Sequence, residues 1–265
     1  MKLSTSFLSE NKMARIIAII SGKGGVGKTT TAINLGAALN KLNKEVIVVD
    51  LNLNTPNIGV HLGAPIVPVT LNHVLKGKAD IEEAVYEHSS GTKIIPSSLS
   101  VKELTKFNTK KIPLIINQLH DHAEYVILDS AAGFSEEAMA TMEAGEEIII
   151  VTNPDMPSVT DALKAVKVAR DLGKDVKGVI VTRHRNRKYE MPLSSIKSML
   201  ESPIIGIIPE DDSVKEALNL RDAVVHTHPR SKVAKKYVLI AGKVIGPNDL
   251  FEEKKGIFKR MFGRD

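Results

Sequence analysis

Gly22-Lys23-Gly24-Gly25-Val26-Gly27-Lys28-Thr29 fits the pattern G-x-x-x-x-G-K-[ST], and what stands on either side of it decides the fold. Before it runs Arg15-Ile16-Ile17-Ala18-Ile19-Ile20, an apolar, β-branched stretch that reads as a strand buried on both faces. After it, residues 29–42 carry a helical pattern. A glycine-rich turn holding a chance lysine is the competing reading, and the strand-loop-helix setting argues against it. In that setting the backbone N–H groups of Gly22, Gly24, Gly25, Val26 and Gly27 turn inward around phosphates. Lys28 brings a point charge to the β and γ groups, and Thr29 offers a hydroxyl to Mg²⁺. Thr30 opens a helix whose positive dipole end faces the same anion. The expected ligand is a nucleoside triphosphate with Mg²⁺.

Outward from this stretch, further apolar runs at 45–50, 125–129, 147–152, 178–182 and 204–208 read as strands. Helical patterns at 111–120, 135–144, 158–172, 193–200 and 233–244 lie between and after them. The alternation predicts an α/β fold: a doubly wound, mostly parallel sheet with helices on both faces. Residues 13–246 form one domain in this reading. Residues 1–12, polar and followed by a second methionine at Met13, are an N-terminal extension with no assigned role. Residues 247–265 are a separate tail.

The 265 residues contain no cysteine, which excludes disulfides, thiolate metal cages, iron–sulfur clusters and cysteine nucleophiles. No run approaches the roughly 20 apolar residues of a spanning helix, and no secretory leader is visible, so an intracellular chain is expected. With 36 basic against 31 acidic residues the net charge is +5, which allows an anionic partner without choosing one. The eight histidines show no H-E-x-x-H spacing. The cationic run 183–188 is read as a solvated loop.

Asp50 and Asp129 each end an apolar run, the edge at which doubly wound sheets place ligands. Beside a phosphate loop, both are expected to hold the hydrated Mg²⁺ from outside its inner ring of ligands.

Lys23, one residue after the first glycine, is not needed by the loop itself. Lys23-Gly24-Gly25-Val26-Gly27-Lys28-Thr29-Thr30 resembles the deviant Walker A motif of the MinD/ParA family of P-loop ATPases, and the likeness runs from Met13 to the C-terminus. It implies an ATPase in which Lys23 reaches across a nucleotide-sandwich homodimer to the partner's ATP and, like an arginine finger, neutralises charge during transfer. It further implies that Asp129-Ser130-Ala131-Ala132-Gly133 is a switch segment, with Gly133 letting the backbone swing when the γ-phosphate leaves. Many relatives carry an aspartate two residues after the position of Asp50, whereas this chain has Asn52. An amide holds water through its carbonyl oxygen but accepts no proton, so slow hydrolysis with Asn52 positioning water is expected, with Lys23 and Lys28 as the other catalytic residues. For the base, the resemblance points to Thr182-Arg183, which departs from the usual Asn-Arg pair, and to Pro209-Glu210-Asp211, which keeps the family's pattern. Adenine is implied by the resemblance alone.

In the tail, Gly246-Pro247 breaks the chain, and Asp249 with Glu252 forms a capping-box signature for an amphipathic helix. At about 100° per residue, Leu250, Phe251, Ile257, Phe258, Met261 and Phe262 fall within roughly 140°, while Lys259 and Arg260 lie outside that arc. Three of the six phenylalanines lie in the last fifteen residues, and residues 254–264 hold five basic and no acidic side chains. The stretch also resembles the family's MinD-type membrane-targeting tail, and Phe251, Ile257, Phe258, Lys259, Arg260, Met261 and Phe262 are its expected membrane contacts. Burying an Ile, Phe or Met contributes roughly 1.5 to 3 kcal/mol, offset by about 1 to 2 kcal/mol per residue ordered, so one tail is marginal. Pairing two in a dimer raises avidity by about 10² to 10⁴.

The expectation is a partner-stimulated, ATP-dependent dimer that cycles between the cytoplasm and the inner face of the cell membrane and positions division or other polar machinery. A DNA-partitioning ATPase and a regulator of flagellar number are the alternatives. The phenylalanine-rich tail counts against nucleic acid, because phosphate contact needs no apolar face.

Overall fold

The structure, a computed structural model, describes residues 13–100 and 108–246. The expected extension at 1–12 and the tail helix with its membrane contacts lie outside the described residues.

In chain order the elements are β1 (Arg15–Ile20), α1 (Lys28–Lys41), β2 (Val46–Leu51), α2 (Ile58–His61), α3 (Leu71–Leu75), β3 (Tyr86–Glu87) and β4 (Lys93–Ile95). There follow α4 (Ile112–Asn117), β5 (Tyr125–Ser130), α5 (Glu136–Ala144), β6 (Glu147–Thr152) and α6 (Met156–Asp171). The chain continues with β7 (Asp175–His184), α7 (Leu193–Leu200), β8 (Ile204–Pro209), α8 (Ser213–Asn219), α9 (Val224–Thr227) and α10 (Lys232–Ile245). The strands form one sheet in the order β3-β4-β2-β5-β1-β6-β7-β8. Every neighbouring pair is parallel except β3–β4. The doubly wound, mostly parallel α/β architecture read from the sequence is the one observed.

Alternation along the strands explains why the sheet is covered on both sides. Ile16, Ala18 and Ile20 point into one core layer with Val126, Leu128, Ile148 and Ile150, packed by α4, α5, α6 and α7. Ile17 and Ile19 point into the other with Val48, Ile127, Ile149 and Val151, covered by α1, α9 and α10. Since both faces are dry, the strands read as continuous apolar runs. β7 is longer than its expected core of 178–182, and the β3–β4 hairpin had no sequence signal. The expected 111–120 helix is α4 followed by a 3₁₀ turn over Gln118–Asp121.

β1 sits between β5 and β6, so the chain leaves it toward one half of the sheet and later fills the other. That reversal opens a crevice at the carboxyl ends of the strands, and the glycine-rich loop occupies it.

Candidate nucleotide site

Residues 21–27 connect β1 to α1, and α1 begins at Lys28 rather than at Thr30. Three of the loop's glycines are sterically required, Gly25 among them at φ +77°. A Cβ on Gly22 would lie 2.3 Å from the Asp161 carbonyl oxygen of α6, and Gly27, the N-cap of α1, is left-handed at φ +94°. The loop is tied down from two sides. Thr182 Oγ1, at the carboxyl end of β7, lies 2.5 Å from the Val26 carbonyl oxygen and 2.9 Å from Asn153 Oδ1. Gly133 N–H donates to the Ser21 carbonyl (3.0 Å), so the expected switch segment contacts the phosphate loop directly.

The two lysines are placed differently. Lys28 is buried; burial pushes the Asp129 carboxyl up, and the charge of Lys28 offsets part of that push. Lys23 is exposed, and its ammonium has no hydrogen-bond or ion-pair partner among the described residues.

Asp50 and Asp129 are both fully buried, at the ends of neighbouring strands. Asp50 Oδ2 accepts from the N–H groups of Asn57 and Ile58 (2.9 Å each), and Oδ1 accepts from Asn52 N–H (3.2 Å). Burial, then the Asp129 charge, push the Asp50 carboxyl upward against the pull of those donors. Neither oxygen of Asp129 has a hydrogen-bond partner in that sense, which is costly for a buried carboxylate. Burial raises its pKa, while Lys28, the Thr29 hydroxyl and His61 act to lower it. An unpartnered carboxylate beside a threonine hydroxyl suits a hard, oxygen-seeking cation, so Thr29 and Asp129 fit Mg²⁺. Asp50 takes three backbone donors, which shape the 52–58 loop and leave one Oδ1 lone pair for a water of the hydrated Mg²⁺.

Asn52 is buried, and its amide is engaged at both ends. Nδ2 donates to the Thr55 carbonyl (2.6 Å), and Oδ1 accepts from Thr55 Oγ1 (3.0 Å). In this arrangement its carbonyl oxygen has one lone pair left for a water.

Beside Gly27 and Thr30 opens a cavity of about 270 Å³. All five residues expected at the base, Thr182, Arg183, Pro209, Glu210 and Asp211, line it. The Thr182 hydroxyl is occupied by the loop, Asp211 Oδ1 accepts from Ser213 N–H (3.0 Å), and Glu210 is ion-paired with Arg185 (3.5 Å), leaving Arg183 as the uncommitted polar side chain on that wall.

Two contributors escaped the sequence reading. Tyr237 of α10 lines the cavity, its hydroxyl 3.2 Å from that of Thr31 on α1. Its only sequence signal was an apolar helix face. Glu137, in the first turn of α5, accepts from Asn54 Nδ2 (2.6 Å) and so joins the switch segment's helix to the 52–58 loop. The sequence marked it only as following Gly133.

The chain matches the CobQ/CobB/MinD/ParA nucleotide binding domain over residues 17–224. An uncharacterized ATP-binding protein of Methanocaldococcus jannaschii is 38% identical over 95% of this chain and 98% of its own length. The septum site-determining protein MinD of Thermotoga maritima is 31% identical over 94% of this chain and 96% of its own. Among solved structures, MinD of Pyrococcus horikoshii, complexed with Mg-ADP, superposes with a TM-score of 0.85 at 33% identity, covering 88% of this chain and 97% of that one. Matched from β1 into α9, and aligned with relatives over nearly the full length of both chains, the chain belongs to the CobQ/CobB/MinD/ParA nucleotide-binding family as an ATPase of the MinD/ParA kind.

Proposed function

We propose that the protein is a Mg²⁺-dependent ATPase that pairs with a second copy around ATP, settles on an anionic membrane while paired, and leaves on hydrolysis. In this way it positions division or other polar machinery, with a protein activator setting the turnover. The observation that carries the reading is Lys23: an exposed cation without a partner among the described residues, on a loop whose other lysine is buried. A monomer has no use for that charge, whereas a facing copy's triphosphate does.

In this reading Lys28 and the loop N–H groups bind the β and γ phosphates, and Arg183, Pro209 and Glu210 flank the base. Mg²⁺, when bound, neutralises charge developing between the β and γ groups. Thr29 and Asp129 hold it, and Asp50 fixes the loop that carries Asn52. Asn52 orients the attacking water and accepts no proton, which suits a slow basal rate. Loss of the γ-phosphate frees the segment at Gly133, and Glu137 passes the movement to the 52–58 loop. The basic, phenylalanine-rich sequence of 247–265 supports membrane docking in the paired state.

Light scattering with a non-hydrolysable ATP analogue tests the pairing. The wild type is expected to double in mass, and Lys23→Ala to remain single while still binding nucleotide. Sedimentation with anionic vesicles tests the docking: ATP is expected to drive binding and ADP to reverse it. A chain that stays monomeric with the analogue, or that binds vesicles equally with both nucleotides, overturns this function.

A further inference from the structure

We propose that the outward face of α10 is a second lipid-contacting surface, a lysine-ringed leucine that lies against an anionic leaflet and orients the domain above its tail. The proposal rests on the membrane reading above and adds a site within the folded domain.

The charge is concentrated here. Residues 223–248 contain no Asp or Glu but hold Arg230, Lys232, Lys235, Lys236 and Lys243, as many cations as the +5 net charge of the whole chain. Lys232, Lys235, Lys236 and Lys243 are all exposed on α10. Two helix lysines elsewhere do sit beside acids one turn away, Lys164–Asp161 and Lys215–Asp212 (3.1 and 3.0 Å). Lys235 and Lys236 have no ion-pair partner among the described residues.

Within this stripe lies Leu239, 61% exposed. Lys235 and Lys236 precede it by four and three positions and so neighbour it on the helix surface, while Lys243, four positions on, donates to the Ile205 carbonyl (2.8 Å). Gly242, three positions on, has open space where a side chain would stand, which leaves the ground beside Leu239 flat. Other leucines are as exposed, Leu114 and Leu220 among them, but Leu239 is the one set between Lys235 and Lys236, and a helix lying at a lipid surface dips such a residue between basic anchors.

Position completes the argument. The last turn of α10 is clamped by Arg15, whose Nη1 donates to the Val244 carbonyl (2.7 Å) and whose other nitrogens bind Glu147 at 2.8 Å. The 19-residue tail therefore starts from a fixed point, directly below the stripe. Lys243 lies three residues before Gly246, about 4.5 Å along the helix axis and so inside the roughly 8 Å over which charge is felt at physiological salt, and Leu239 lies one turn further on.

The test is vesicle sedimentation of the full chain with the non-hydrolysable analogue, using phosphatidylcholine with and without phosphatidylserine. Lys235→Gln with Lys236→Gln is expected to weaken binding to the anionic vesicles about 10-fold, and Lys235→Glu with Lys236→Glu further, with basal ATPase unchanged. Leu239→Ser is expected to weaken binding to both vesicle types, and it serves as the second variant should charge reversal disturb folding. If the lysine variants bind like the wild type while Phe258→Glu with Phe262→Glu abolishes binding, the α10 surface is refuted and the tail reading stands. If the wild type itself does not sediment, the membrane reading falls and takes this proposal with it. Loss of duplex DNA binding in the lysine variants, with vesicle binding intact, makes α10 a nucleic-acid surface and overturns the proposal.

Discussion

Asp50 and Asp129 are register partners across the β2–β5 ladder, and they are satisfied in opposite ways. One carboxylate collects three backbone N–H groups, while the other takes no backbone donor among the described residues and faces only Lys28 and the Thr29 hydroxyl. Two carboxylates this close and this dry cannot both stay ionised cheaply unless a cation comes between them and solvent. The pair is thus divided into a structural member and a receptive one.

The division predicts different outcomes for one conservative change. Asp129→Asn removes a buried carboxyl that no backbone donor satisfies but also the charge facing buried Lys28, so in metal-free buffer it is expected to change stability by less than about 1 kcal/mol, read as a nearly unchanged Tm. The same variant is expected to lose the Mg²⁺ dependence of ATP binding in calorimetric titration. Asp50→Asn turns an NH₂ toward backbone donors and is expected to cost about 2 to 3 kcal/mol with or without Mg²⁺. Equal behaviour of the two variants would refute the division.

Thr182 braces the phosphate loop from β7 through its contact with the Val26 carbonyl. Thr182→Val keeps the shape and removes the donor, leaving that carbonyl short of a partner. A stability loss of about 1 to 2 kcal/mol is expected by chemical denaturation. Nucleotide affinity is expected to fall about 5- to 10-fold, because the loop must then be ordered by the ligand. An unchanged affinity would mean that the loop holds its form alone.

The sequence made β1, the loop and α1 legible because a specific spacing and two hydrophobic periodicities coincide there. β3 and β4 are two and three residues long, too short for any periodicity, and they exist only because β2 offers an edge. That Asp50 and Asp129 stand side by side is set by strand register, which no local pattern encodes. Asn52 shows the same limit from the other direction: its position was readable, its two bonds to Thr55 were not. Tyr237 was hidden because an aromatic on an apolar face looks like core until its hydroxyl is seen to meet Thr31.

Glu137 joins α5 to the 52–58 loop through Asn54. Its carboxyl is pushed up by burial and held back by the Asn54 and Leu53 N–H groups and the Asn54 side chain. Glu137→Ala leaves the phosphate loop and the base cavity untouched, so ATP affinity is expected to change less than 2-fold. The loop bearing Asn52 loses an anchor, and kcat is expected to fall about 10-fold in single-turnover measurements. A fall in affinity without a change in kcat would place Glu137 in binding rather than in positioning.

Tyr237 makes stability depend on alkaline pH. Burial pushes its hydroxyl up to about 12, while contact with Thr31 pulls modestly the other way. An unfolded tyrosine titrates near 10. Below pH 10 the phenol is neutral in both states and its contribution is intact. Between pH 10 and 12 the unfolded chain releases the proton and the folded chain keeps it, so stability falls as pH rises. At about 1.4 kcal/mol per pH unit the loss approaches 2 to 3 kcal/mol. Tyr237→Phe removes the titration and is expected to flatten this part of the curve, after an initial cost of about 1 kcal/mol for the Thr31 hydroxyl. Urea unfolding from pH 9 to 12 reads both effects, and parallel curves for the two proteins would exclude Tyr237 as the group responsible.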